Sequence, residues 1–193
     1  MRLRPIKFSV SIVLVLTMTV FFSACGRLGP PLPPEAFSPQ AVQYLETFPE
    51  LHAVRFAWES PGGDLRGQEL ESMDGYRIYR RELLKEADLV EDEDEFEIIT
   101  SVEDKHVKVR EELRDAAKLA GKPARNISAE PALKIFEYTD SDVQPGKTYL
   151  YKIVPFNQDD VEGQVLQLVR VLFRGESSEI AILEQDAFED VLG

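Results

Sequence analysis

The chain has 193 residues, 44% of them hydrophobic and 30% charged, with 35 Asp and Glu against 22 Lys and Arg for a net charge of −13. That length suits one domain besides any targeting segment, and such acidity repels phosphates and anionic headgroups, which argues against nucleic-acid binding. One cysteine excludes an intrachain disulfide.

The first element is a targeting segment. Arg2, Arg4 and Lys7 precede a stretch from Phe8 to Ala24 that carries no charge and is dominated by Val, Ile, Leu and Phe. This is the layout of a signal peptide, with charge held at the cytoplasmic face ahead of an apolar helix. The run lies at the lower end of the length needed to cross ~30 Å of hydrocarbon, so an uncleaved anchor is one alternative. A plain signal peptide that happens to contain a cysteine is another. The run ends in Phe22-Ser23-Ala24-Cys25-Gly26, which resembles a bacterial lipobox, with Phe22 where Leu is the usual residue. The resemblance implies a thioether-linked diacylglycerol on Cys25, with palmitate as the acyl chain type, and removal of residues 1–24. Each buried CH₂ contributes ~0.8 kcal/mol, so two or three chains would hold the protein on a membrane permanently. Gly26 stands where Asp usually signals inner-membrane retention, which implies an outer membrane facing the periplasm in a Gram-negative envelope. Loss of Arg2, Arg4 and Lys7 would leave 19 Lys and Arg against 35 Asp and Glu.

Residues 25–41 read as a lipidated Gly/Pro-rich tether. Gly29-Pro30-Pro31-Leu32-Pro33-Pro34, followed by Pro39, disfavours helix because proline lacks the N–H and clashes with the preceding turn. Extended polyproline II at ~3.1 Å per residue is the expectation. Cys25-Gly26-Arg27-Leu28-Gly29-Pro30-Pro31 also resembles the N-terminus of small outer-membrane lipoproteins of the lipopolysaccharide translocon. Cys-Gly-x-Lys-Gly-Pro is typical there, and Leu28 replaces the Lys. A spacer and a docking tag for an export machine are both compatible with this stretch.

Residues 42–183 read as a domain of short strands. Ala53–Trp58 places Val54, Phe56 and Trp58 on one face, and Ser60-Pro61-Gly62-Gly63 ends it in a turn. Gly75–Arg80 alternates, with Tyr76 and Ile78 on one face and arginines largely on the other. Phe96–Ile99, Leu133–Tyr138 and Lys147–Val154 follow, then Gln164–Phe173 and Ser178–Leu183, either of which reads as the last strand. Several short strands between turn residues predict an all-β sandwich. The segment Tyr138–Tyr149 then resembles the fibronectin type III family, where an apolar residue, a Pro-Gly pair and a tyrosine build the corner between the fifth and sixth strands. Val143, Pro145, Gly146 and Tyr149 fill those roles, with Trp58 and Tyr76 as core residues and Asn157 and Gly163 in the following loop. The implied fold is a fibronectin type III-like antiparallel β-sandwich with an inserted α-helix.

The insertion spans about residues 82–132. It opens with eight Asp and Glu among the twelve residues from Glu86 to Glu97, a self-repelling loop that lacks the glycine a calcium loop needs. Glu103 to Ala120 reads as a helix with Val109, Leu113, Ala116 and Ala120 on one stripe, ended by Gly121 and Pro123. The stripe of Val109, Leu113 and Ala116 is the candidate partner contact, lying against the sandwich or a second protein. His106 reads as solvated. Residues 184–193 form an acidic tail.

No P-loop, dinucleotide or His-Glu-x-x-His pattern occurs, and neither His52 nor His106 is spaced to a nucleophile. No catalytic residue, cofactor or metal is expected. A single Trp, assigned to the core, disfavours a carbohydrate groove. The sequence therefore points to a non-catalytic, membrane-anchored envelope lipoprotein that works as a binding or scaffolding module with a protein partner. The alternative is an accessory subunit of an outer-membrane assembly or lipopolysaccharide-export machine.

Overall fold

A computed structural model describes residues 33–84 and 96–184. The signal peptide expected over residues 1–24, Cys25 and the Gly29–Leu32 stretch lie outside the described residues, as do residues 85–95, expected as an acidic loop, and the tail from 185 onward.

Among the described residues, eight strands and one α-helix follow in chain order: β1 Gln43–Pro49, β2 Val54–Glu59, β3 Gly75–Leu83, β4 Glu97–Glu103, α1 Lys105–Leu119, β5 Ile135–Asp140, β6 Thr148–Phe156, β7 Gln167–Leu172 and β8 Glu179–Glu184. They form a three-stranded sheet, β1-β2-β5, and a five-stranded sheet, β4-β3-β6-β7-β8. Every pairing is antiparallel. The fold is the fibronectin type III-like β-sandwich, with α1 inserted between β4 and β5. Gln167–Leu172 takes the last regular place beside β6, and Glu179–Glu184 adds an edge strand beyond it.

The core follows from period-two patterning. Val54, Phe56 and Trp58 alternate inward along β2 and meet Tyr76, Ile78, Tyr151, Ile153, Val169 and Val171 of the larger sheet in one apolar cluster. Phe56 crosses the interface to Tyr151 with ring centroids 4.7 Å apart. Trp58 lies edge-on to Tyr76 at 5.4 Å and stacks with Phe136 at 6.2 Å. Such aromatic pairs add ~0.5–1.5 kcal/mol beyond the area they bury.

The expected corner is present. Gly146 sits at φ +86° between Pro145 and Lys147, and the Lys147 amide donates to the Gln144 carbonyl at 3.2 Å. This is a type II turn, in which proline presets the first central position and only glycine takes the second without strain. Tyr149 is buried, and its hydroxyl accepts the Gln144 amide at 3.0 Å, while Val143 packs on the core. Tyr149→Phe is expected to cost ~1–3 kcal/mol, because it strands that amide while keeping the ring. Urea denaturation of residues 33–193 measures it, and a shifted midpoint with an unchanged slope is the expected form.

Two expectations change. Arg80 does not turn outward: it shares the Tyr76 and Ile78 side, and its Nη1 reaches the buried Asp140 at 2.9 Å. The Tyr151 hydroxyl donates to the same carboxylate at 2.9 Å. Burial, reinforced by Asp140, keeps that hydroxyl protonated well above the ordinary tyrosine value. An ion pair thus closes this end of the core. Residues 38–41, assigned to the tether by sequence, also belong to the folded body. Ser38, Pro39 and Ala41 are buried, and the Pro39 carbonyl accepts the Gln164 amide at 3.0 Å. Gly163 permits this approach, since a Cβ there would lie 2.3 Å from the Pro39 carbonyl oxygen.

Candidate functional site

The helix begins where a polar residue replaces the strand. Asp104 is the N-cap, and its Oδ1 accepts the Val107 amide at 2.9 Å, which satisfies one of the amides that a helix start leaves open. The C-terminus is a Schellman motif: Gly121 at φ +67° donates to the Lys118 carbonyl, and Lys122 donates to Ala117. Gly121 therefore ends the helix as its sequence signal requires.

Asp104 does more than cap. Its carboxylate is almost wholly buried, and Oδ2 accepts the Tyr76 hydroxyl at 2.7 Å and the Ser60 hydroxyl at 3.5 Å. One side chain thus joins the helix start to β3 and to the end of β2. Burial, with Asp104 beside it, raises the Tyr76 hydroxyl far above the ordinary tyrosine range, so it stays a donor. The sequence reading starts the helix at Glu103 and misses Asp104; an Asp just ahead of the helical run is the N-cap signal that finds it, while its contacts to Tyr76 and Ser60 have no local signal.

The face that α1 turns to the sandwich differs from the one expected. His106, Val107, Arg110 and Ala117 are its buried residues, whereas Leu113 is 45% and Leu119 91% exposed. Ala116 and Ala120 are exposed, and Val109 is half-buried. The physical reason lies in the arginines. Arg110 lays its stem against the body and donates from Nη2 to the Leu70 carbonyl, while Nη1 pairs with Glu69 at 3.1 Å and Nε with Glu111 at 3.0 Å. Arg114 repeats the arrangement one turn on, pairing with Glu69 at 2.9 Å and Glu111 at 3.1 Å. Long basic side chains bury apolar stems while their heads find carboxylates and carbonyls, so the 107/110/114/117 row docks although two of its four members are charged. His106 is likewise buried rather than solvated.

Two recesses flank the helix. One, of about 530 Å³, has charged walls that include Glu69, Glu71, Glu111, Arg114 and Lys118. The other, of about 160 Å³, lies between α1 and the sandwich and is lined by Ser60, Glu69, His106, Arg110 and Lys134 among others. Among the described residues no group of three or more His, Cys, Asp or Glu is placed to hold a metal ion.

Of the residues singled out by sequence, Trp58, Tyr76, Pro145, Gly146 and Tyr149 take structural places in the sandwich and its corner. Val109, Leu113 and Ala116 stand together on α1, away from the docked row. Cys25 lies outside the described residues.

No protein-family model matches the chain, and no curated protein is similar to it. Among solved structures, the twitchin kinase region from C. elegans is similar over 74% of this chain and 18% of that one, at 14% identity and a TM-score of 0.44. A myokine structure is similar over 72% of this chain and 98% of that one, at 11% identity and a TM-score of 0.34. The chain spans less than a fifth of the twitchin region's length.

Proposed function

We propose that this protein is a non-catalytic lipoprotein of the bacterial envelope, lipid-anchored at Cys25, whose sandwich carries an inserted helix as its partner-binding element. The observation that carries the reading is that α1 docks partly through arginines and leaves apolar residues exposed. An ordinary surface helix buries its apolar stripe and exposes its charges. This helix fixes Arg110 and Arg114 in ion pairs against the body and leaves Leu113, Ala116 and Leu119 in solvent. Recognition elements concentrate on insertions held by a rigid scaffold, and insertion costs little, since doubling a loop adds only ~0.6 kcal/mol of closure entropy. The address rests on the uncharged run from Phe8 to Ala24 and on the single cysteine that follows it.

Cys25→Ser tests the anchor. With no other cysteine in the chain, metabolic labelling with palmitate is expected to drop to background, leaving an unprocessed or soluble form. Label persisting in the variant contradicts lipidation.

The Cys25–Pro31 stretch supports the second reading, an accessory subunit of an outer-membrane export machine engaged through its lipidated N-terminus. Truncation separates the two. If residues 25–41 alone retain the partner, that reading holds; if the sandwich with α1 is required, the helix does the binding.

A further inference from the structure

We propose that His106 is an acid-sensitive latch for the inserted helix: the neutral imidazole lets α1 stay docked on the sandwich, and protonation releases it while the sheets stay folded.

The geometry leaves little room for a proton. His106 is 5% exposed, and its Nδ1 is buried with no hydrogen-bond partner. It stands second after the Asp104 cap, in the first turn, where the helix dipole opposes a positive charge. Its charged surroundings come from every element packed around it. Arg110 on α1 and Lys134 in the turn before β5 disfavour the imidazolium, whereas Asp104 at the cap and Glu69 in the β2–β3 connection favour it. Glu59 at the end of β2 lines the same recess. The two favourable carboxylates already have partners. Asp104 accepts from Val107, Tyr76 and Ser60, and Glu69 is paired with both Arg110 and Arg114. Burial is the largest influence and pulls the imidazole below its ordinary value of 6.5.

The sign follows from linkage. A histidine whose folded value is depressed binds fewer protons docked than released. Docking free energy from His106 is therefore fully present above the ordinary imidazole value. It declines as pH falls through that value toward the folded one, and is lost below it. The helix also buries few side chains. Its buried side chains are His106, Val107, Arg110 and Ala117, and the recess beside them holds about 160 Å³, the volume of roughly five water molecules at ~30 Å³ each. Water entering there hydrates an imidazolium without any strand moving. The latch does not depend on lipidation or on a partner.

Hydrogen–deuterium exchange of the full chain tests this at about pH 7.5 and about pH 5.5, either side of the ordinary imidazole value. Rates are corrected for intrinsic chemical exchange. Amides of α1 are expected to lose protection severalfold at the lower pH while those of β6 hold theirs, and His106→Gln is expected to abolish the loss. Unchanged α1 protection in the wild type overturns the latch, and so does an equal loss in His106→Gln. Where the variant fails to dock at either pH, NMR titration of the wild-type His106 ring decides. A midpoint below that of free imidazole supports the latch, and one at or above it overturns the latch.

Discussion

Trp58→Ala is expected to destabilise the sandwich by ~3–5 kcal/mol, the range for truncating a large aromatic side chain in a packed interior. Trp58 is 1% exposed near the end of β2 and contacts Tyr76 across the sandwich and Phe136 beside it, so its loss opens a cavity between the sheets. Its indole Nε1 is buried without a hydrogen-bond partner, so its contribution comes from packing alone. Trp58→Phe is therefore expected to keep most of the stability, with no hydrogen bond to lose. Equilibrium urea unfolding distinguishes the two substitutions. A near-wild-type midpoint for Trp58→Ala would show that β2 does not form the core described here.

The second large effect is expected at Asp104. Alanine there removes the helix cap, worth ~0.5–2 kcal/mol, and strands the buried Tyr76 hydroxyl, which costs a further ~1–3 kcal/mol. A total of about 1.5–5 kcal/mol follows if the two losses add, and neighbours in one network do not always add. Asp104→Asn retains one oxygen, for the Val107 amide, and turns an amide donor to the Tyr76 hydroxyl, which can rotate to accept it, so its cost is expected to be smaller. A Tyr76→Phe background separates the parts: with that hydroxyl gone, Asp104→Ala should cost only the cap. The double-mutant cycle reads this directly, and a coupling near zero would mean that the 2.7 Å contact contributes nothing to stability.

Much of the sandwich was legible in the chain because its signals are local. Val54, Phe56 and Trp58 alternate, and Pro145-Gly146 dictates a turn. Tyr149 follows that turn at the distance that lets its hydroxyl return to the Gln144 amide. Each depends on neighbours a few residues away. The order of β7 and β8 was not legible, since two similar apolar runs compete for the place beside β6 and only pairing with Thr148–Tyr151 selects the first. The helix and its end at Gly121 can be read from the sequence, but its docked face cannot. An apolar-stripe reading treats Arg110 and Arg114 as solvent-facing. It has no means of seeing that the Leu70 carbonyl and Glu69, some forty residues earlier, are waiting for them. His106 was misread for the same reason: burial at a helix start is set by what packs over it, and here that is the β2–β3 connection. Arg80 makes the same point, since its partner Asp140 lies sixty residues on.

The most direct test of the proposed binding role is Leu113→Glu combined with Ala116→Glu, followed by crosslinking in intact envelopes and purification through this protein. Both positions are exposed, so circular dichroism and the urea midpoint should stay near wild type, within about 0.5 kcal/mol. The predicted result is that a protein captured by the wild type is absent from the variant, while palmitate labelling persists. Capture of the same protein in equal yield by both would contradict a partner-binding role for the exposed face of α1.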